Sequence, residues 1–120
     1  MTYNHVVPER KIDITIPDGK MLAQAWMPFV KNGGLFVPTQ NEARLGEWLV
    51  LAVTLPDAAQ PIRVLGHIVW LSRSGADNGM PAGWGIQFSE RDNGQTRRRI
   101  EESLQRLAPS ISDVTTTFTM

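Results

Sequence analysis

The chain has 120 residues, the size of one domain with one hydrophobic core. Its 12 lysines and arginines balance 12 aspartates and glutamates, so no whole-molecule field gathers nucleic acid or anionic lipid, and only a local patch could do so. There is no cysteine, which excludes disulfides, thiolate metal sites and thiol nucleophiles and fits a reducing, cytoplasmic compartment.

Residues 1–10 contain no long apolar segment, do not read as a secretory signal, and are expected to be a flexible N-terminus. The longest apolar run, Trp48 to Val53, is far too short to cross a bilayer. Direct membrane insertion is therefore not expected.

From Lys11 the pattern alternates, with Ile12, Ile14 and Ile16 on one face and Asp13 and Thr15 on the other. Pro17-Asp18-Gly19-Lys20 then supplies turn chemistry, which predicts a first hairpin. The return arm is placed over Met21 to Trp26. Met, Leu, Ala and Gln favour helix there, but the segment is short and lies between two turn signals.

The stretch from Trp26 to Gly34 (Trp-Met-Pro-Phe-Val-Lys-Asn-Gly-Gly) sets a glycine pair between two apolar β-type runs. At Gly33 and Gly34 the backbone can take a positive φ or approach another molecule closely. No carboxylate, serine or arginine stands beside the pair, so an apolar partner fits this turn better than a phosphate or a metal ion.

Leu35-Phe36-Val37 reads as a brief strand limited by Pro38, and Glu47 to Leu55 as a strand covered on both faces. Ile62 to Ser72 reads as a long strand in which Gly66 permits a bulge or sharp bend. After a loop from Arg73 to Ala82 comes Gly83 to Phe88, with Trp84, Ile86 and Phe88 on one face.

Ser89 and Asp92 have capping-box spacing, Asn93-Gly94 moves the helix start inward, and Ile100, Leu104 and Leu107 fall on one helical face before Pro109. The remainder, residues 109–120, is short of periodic apolar residues and reads as a tail, in which Phe118 and Met120 stand out. The sum is a mainly β fold: about six strands forming a small antiparallel barrel, then one C-terminal helix, over residues 11–108.

Catalytic chemistry finds no support in the residues. His5 and His67 have no acid or hydroxyl partner in a recognisable motif, and Glu101 and Glu102 are placed to meet Arg97 and Arg98 four positions earlier on a solvated helix face. Metal-ligand spacings and phosphate-cradling loops are absent from the sequence, so no cofactor or metal is expected. The run Arg97-Arg98-Arg99 is the one concentrated basic signal, and adjacent glutamates offset it.

Aromatic residues are the stronger signal. Trp26, Phe29, Phe36, Trp48, Trp70, Trp84 and Phe88 are too many for the interior of a barrel this small, so some reach the surface, where aromatics mark interfaces. Phe29 either faces outward or plugs one barrel end. Trp70 lies in the core or at an edge, and Trp84 in the barrel packing.

The order of the glycine turn, the strand Val64-Leu65-Gly66-His67-Ile68-Val69-Trp70 and the segment Gly83 to Phe88 before a terminal helix resembles a PilZ domain over roughly residues 10–108. Trp26 to Gly34 and the ending Thr117-Phe118-Thr119-Met120 are similar to the type IV pilus assembly branch of that family. PilZ receptors for cyclic di-GMP use an Arg-x-x-x-Arg segment and an Asp/Asn-x-Ser-x-x-Gly turn. With the family glycine placed on Gly34, Phe29 stands at the acid position and Lys31 at the serine position. Four residues after Arg10 stands Ile14, not a second arginine.

The resemblance thus implies an adaptor with cyclic di-GMP unlikely as a direct ligand. Its partners would be the pilus extension ATPase and, in some bacteria, a degenerate EAL-domain protein, with recruitment to the pilus base at the inner membrane. The residues assigned to protein binding are Trp26, Phe29, Lys31, Gly33, Gly34, Phe36 and Trp70, with Phe118, Thr119 and Met120 as a second contact. The alternatives are an unusual cyclic di-GMP receptor using Arg10, Lys11 and Lys31, and a single-strand nucleic-acid binder, against which the neutral composition argues.

Overall fold

A computed structural model describes residues 8–73 and 81–109. Its strands are β1 (Lys11–Thr15), β2 (Gly34–Pro38), β3 (Trp48–Thr54), β4 (Ile62–Ser72) and β5 (Gly83–Phe88), with helices α1 (Gly19–Ala25) and α2 (Gln95–Arg106). The five strands form one curled sheet in the order β1-β3-β4-β5-β2, leaving β1 and β2 as its edges.

Two expectations need correction. The segment after the Pro17-Asp18-Gly19 turn is helix, not a return strand. The Asp18 carboxylate accepts a hydrogen bond from the Met21 N–H at 2.8 Å, so the supposed turn residue is an N-cap, and the helix-favouring Met, Leu, Ala and Gln that follow take their intrinsic preference. Without that return arm the described residues contain five strands instead of six. The sheet is also mixed, because β1 runs parallel to β3, with Ile12 opposite Leu51 and Ile14 opposite Val53, while the other pairs are antiparallel.

The concave face carries the core. Leu49, Leu51 and Val53 of β3, Val64 and Ile68 of β4, Leu35 and Val37 of β2, and Trp84, Ile86 and Phe88 of β5 are all buried. Leu22 of α1 and Ile100 of α2 are fully buried in the same cluster, so both helices cover that core. The alternation read from the sequence in β5 therefore holds: large residues face inward, and Gly83 and Gly85 face out.

The two glycines of the turn answer to the fold itself. Gly33 has φ +80°, and a Cβ there would come within 2.6 Å of the Trp26 ring. Gly34 lies where a Cβ would sit 2.3 Å from the Ile86 carbonyl oxygen of the adjacent strand. The bend expected at Gly66 occurs three residues later. Gly66 is required instead for close approach, since a Cβ would meet the Ile86 side chain at 2.7 Å, and the register slips by one residue between Ile68 and Trp70.

The start and end of α2 are held by carboxylates. Ser89 caps a single 3-10 turn, Glu90–Asp92, and Asn93 and Gly94 at positive φ shift the α-helical start to Gln95. Asp92 then accepts the backbone N–H groups of Gly94 and Thr96 and the Thr96 hydroxyl. Partial burial pushes its carboxyl upward, but these hydrogen bonds outweigh it, and the group lies below the usual carboxylate range. At the other end Asp57, in the β3–β4 connection, accepts from Arg106 Nε at 2.6 Å and from the buried Ser103 hydroxyl at 2.8 Å, and these bonds lower its pKa as well.

Two stability predictions arise from these contacts. Gly34→Ala forces β2 away from β5 and is expected to cost about 2 kcal/mol or more, read as a lower urea midpoint with an unchanged slope. Both Asp57 and Asp92 have folded pKa values below the unfolded value of about 3.9, so their contribution is present above about pH 4 and is lost as pH falls through the folded values. Asp57→Asn should flatten the acid limb of a melting-temperature profile below about pH 4. An unchanged limb would show that the α2 tether carries no proton linkage.

Candidate functional site

The turn from Met27 to Gly34 is fastened at several points. Met27 N–H donates to the Gly34 carbonyl at 2.9 Å and Gly33 N–H to the Val30 carbonyl at 2.9 Å, closing a β-turn in which Asn32 has φ +68°. Asn32 Nδ2 reaches the Phe88 carbonyl, Gln87 Nε2 donates to the Lys31 carbonyl at 2.9 Å, and Phe88 N–H donates to the Gly33 carbonyl. With its backbone so committed, the turn presents Phe29 to solvent at 75% exposure. The sequence left its direction open, and the structure settles it as outward.

Trp70 is also turned out, by a different device. Val64, Gly66 and Ile68 face the core, and simple alternation would put Trp70 there too. The register slip at Val69 inserts one extra residue, so Val69 and Trp70 are both exposed and Leu71 packs against the core instead. Trp70 is 39% exposed and lies 5.9 Å from the Phe36 ring, centroid to centroid.

These rings lie over the outward glycines of β5. A Cβ on Gly85 would be 2.9 Å from Trp70 Cβ and 3.3 Å from Met27 Cε, and one on Gly83 would be 2.5 Å from the Phe36 ring. The outer surface of β5 is therefore a trough in which Phe36 and Trp70 are seated. Alongside it runs a groove of about 580 Å³ bordered by the end of β1 (Ile14, Thr15), by Met21 of α1, and by Trp26, Phe29 and Trp70. None of the described residues lining this groove is charged.

Trp26 links the groove to α2. Its ring lies under the Arg97 guanidinium at 5.7 Å and 6.4 Å from Phe88, and its backbone bridges Leu35. Arg97 is in turn paired with Glu101 at 3.1 Å. The arginine run thus supplies a structural cation over an aromatic ring. Gly33 and Gly34 are buried and do not line the groove. Phe118, Thr119 and Met120 lie outside the described residues.

Lys31 points elsewhere. It lines a second, smaller pocket of about 370 Å³ with Trp48, His67, Gln87, Glu90 and Arg91. Trp48 is 46% exposed and stacks 4.5 Å from the His67 ring, whose Nδ1 is buried with no hydrogen-bond partner among the described residues. Sequence reading missed this pair, because a Trp on β3 and a His on β4 meet only through the register that sets Trp48 opposite His67. The adjoining pocket of about 820 Å³ shares Trp48 and Arg91 and adds Arg10, which pairs with Glu47 at 2.8 Å and lies 5.0 Å from the buried Trp84 ring.

Among the described residues no group of three or more His, Asp or Glu side chains is placed to hold a metal ion, and no helix is long and apolar enough to cross a membrane. No curated protein matches the chain. The family model that does match, described as the PilZ domain, aligns with residues 8–106, which spans the curled sheet, both helices and both surfaces described above. By that match the chain belongs to the PilZ domain family.

Proposed function

We propose that this PilZ domain is a non-enzymatic adaptor in type IV pilus biogenesis. It binds the cytoplasmic pilus extension ATPase and, where one is present, a degenerate EAL-domain regulator that itself senses cyclic di-GMP. The protein acts in the cytoplasm and is recruited to the pilus base. The observation that carries this reading is the exposure of Phe29 and Trp70 together at the rim of a groove whose described lining residues carry no charge. Exposed aromatics beside an apolar concavity are the usual anchors of a protein interface. The positions at which the family's nucleotide receptors place an acid and a hydroxyl hold Phe29 and Lys31, which removes the chemistry those receptors use on a base edge.

A second reading, direct binding of cyclic di-GMP by unusual ligands, draws on the other surface. There Trp48 offers an exposed ring face between pockets lined by Lys31, Arg10 and Arg91. Arg10 already serves Glu47 and Trp84, however, and Lys11 lines neither pocket. The adaptor reading is therefore preferred.

The readings separate in two measurements. Phe29→Ala and Trp70→Ala should each weaken binding to the purified extension ATPase by about thirtyfold, the equivalent of about 2 kcal/mol, while leaving the melting temperature of the Phe29 variant nearly unchanged. Removal of residues 110–120 should weaken it as well. Unchanged affinity in all three would overturn the assignment of surfaces. Calorimetric titration with cyclic di-GMP should show no binding at micromolar concentration, and micromolar binding abolished by Trp48→Ala would establish the second reading in its place.

A further inference from the structure

The sheet has an edge that the described residues leave bare. β1 ends the strand order beside β3, and no described strand pairs with its other side. The bonds from Val50 N–H to the Arg10 carbonyl and from Ile16 N–H to the Thr54 carbonyl direct the even-numbered residues of β1 toward β3. The N–H and C=O groups of the odd-numbered residues, Lys11, Asp13 and Thr15, therefore point to the open side. Their side chains are exposed as well, while Ile12 and Ile14 are half-buried and pack against the core. Among the described residues neither Lys11 nor Asp13 takes part in an ion pair.

A bare edge pairs readily with another strand, and charge on it usually prevents that. Here the charge selects a partner instead. Lys11 and Asp13 stand two apart on one face with opposite signs, so Lys-Ile-Asp is complementary to itself when read backward. Two β1 strands cannot pair in parallel about a twofold axis, because a parallel ladder sets a residue facing the partner opposite one facing away, which two identical edges do not supply. Antiparallel pairing leaves a choice of register, and charge decides it. With Asp13 on the axis two aspartates meet, and with Lys11 on the axis two lysines do. A register centred on Ile14 sets Lys11 opposite Pro17, which has no N–H to donate. With Ile12 on the axis, each Lys11 lies opposite the partner's Asp13, and the four charges alternate in sign around the axis. Ile12 then meets the partner's Ile12 on the core side, where each is half-buried.

We infer that two copies of this chain associate through β1, antiparallel and centred on Ile12, joining their five-stranded sheets into one. This pairing does not rest on the adaptor reading, because Phe29 and Trp70 take no part in the ribbon. The paired segment is short for an interface, and a dissociation constant between about 1 μM and 1 mM is expected.

Sedimentation equilibrium of the full chain at low ionic strength should show a monomer–dimer equilibrium that weakens with added salt. Lys11→Glu and Asp13→Lys each set like charges across the axis twice, and each should weaken association by about tenfold or more. The variant carrying both changes restores the alternation and should restore the affinity. Both positions are exposed, so melting temperatures should stay nearly unchanged. Because the chain has no cysteine, a single introduced one can form a disulfide only between copies. Under mild oxidation Ile12→Cys should give a linked dimer, its Cα atoms about 4.5 Å apart across the axis, while Ile14→Cys, about 13 Å from its counterpart, should not. A full chain that stays monomeric at about 1 mM would overturn the inference. So would a dimer indifferent to both single charge reversals, or one lost in Phe29→Ala, since either assigns the contact to another surface. Linkage through Ile14→Cys in place of Ile12→Cys would overturn the register.

Discussion

The outer surface of this protein depends on the absence of side chains at Gly83 and Gly85. Because Trp84, Ile86 and Phe88 fill the concave core, the alternate positions of β5 face outward, and two of the three are glycine. The vacated depth is taken by Phe36 from one neighbouring strand and Trp70 from the other, with the Met27 methyl beside them. A methyl group on either glycine would displace an aromatic ring. The core and the exposed aromatic patch are thus two faces of one strand, and the same alternation that buries Trp84 makes room for Trp70.

That arrangement also requires Trp70 to face out, and strict alternation along β4 would have sent it inward. One extra residue at Val69 reverses the parity of the last part of the strand. The exchange is favourable on both sides of the sheet: Leu71 enters the core in place of a tryptophan, and the tryptophan ring gains the glycine trough. Such a bulge is a local cost in ladder hydrogen bonding that the strand sustains because the apolar surface on both faces is better accommodated.

Much of the fold was legible in the sequence because it is written in local periodicity. The alternation over β4 and β5, the apolar run of β3, and the helical spacing of Ile100 and Leu104 need no knowledge of distant residues. What failed was ambiguous locally or set by register. Pro17-Asp18-Gly19 is equally turn chemistry and a helix start, and only the Asp18 bond to Met21 decides between them. The parallel pairing of β1 with β3, the stacking of Trp48 on His67 and the outward turn of Trp70 arise from strand register, which no single segment encodes. Of the candidate site, Phe29 and Trp70 were expected to share one apolar contact, but the register slip and the glycine trough that turn Trp70 outward were not foreseen.

On the adaptor reading, the turn between Met27 and Gly34 alters what it presents without altering the fold. The hydrogen bonds that shape it use backbone groups or the side chains of Asn32, Gln87 and Arg97. The side chains of Phe29 and Lys31 are not among them, and the two diverge, Phe29 toward the uncharged groove and Lys31 toward the pocket of Trp48 and His67. On the adaptor reading, an aromatic ring and an amine stand where the family's nucleotide receptors would carry an acid and a hydroxyl, and neither side chain takes part in the turn's hydrogen bonds. The glycines, by contrast, are fixed by contacts with Trp26 and Ile86 inside the protein, and any partner must accept the turn they impose. On the adaptor reading, recognition at this site rests on two exposed positions on a hydrogen-bonded frame, a change of surface that needs no change of fold.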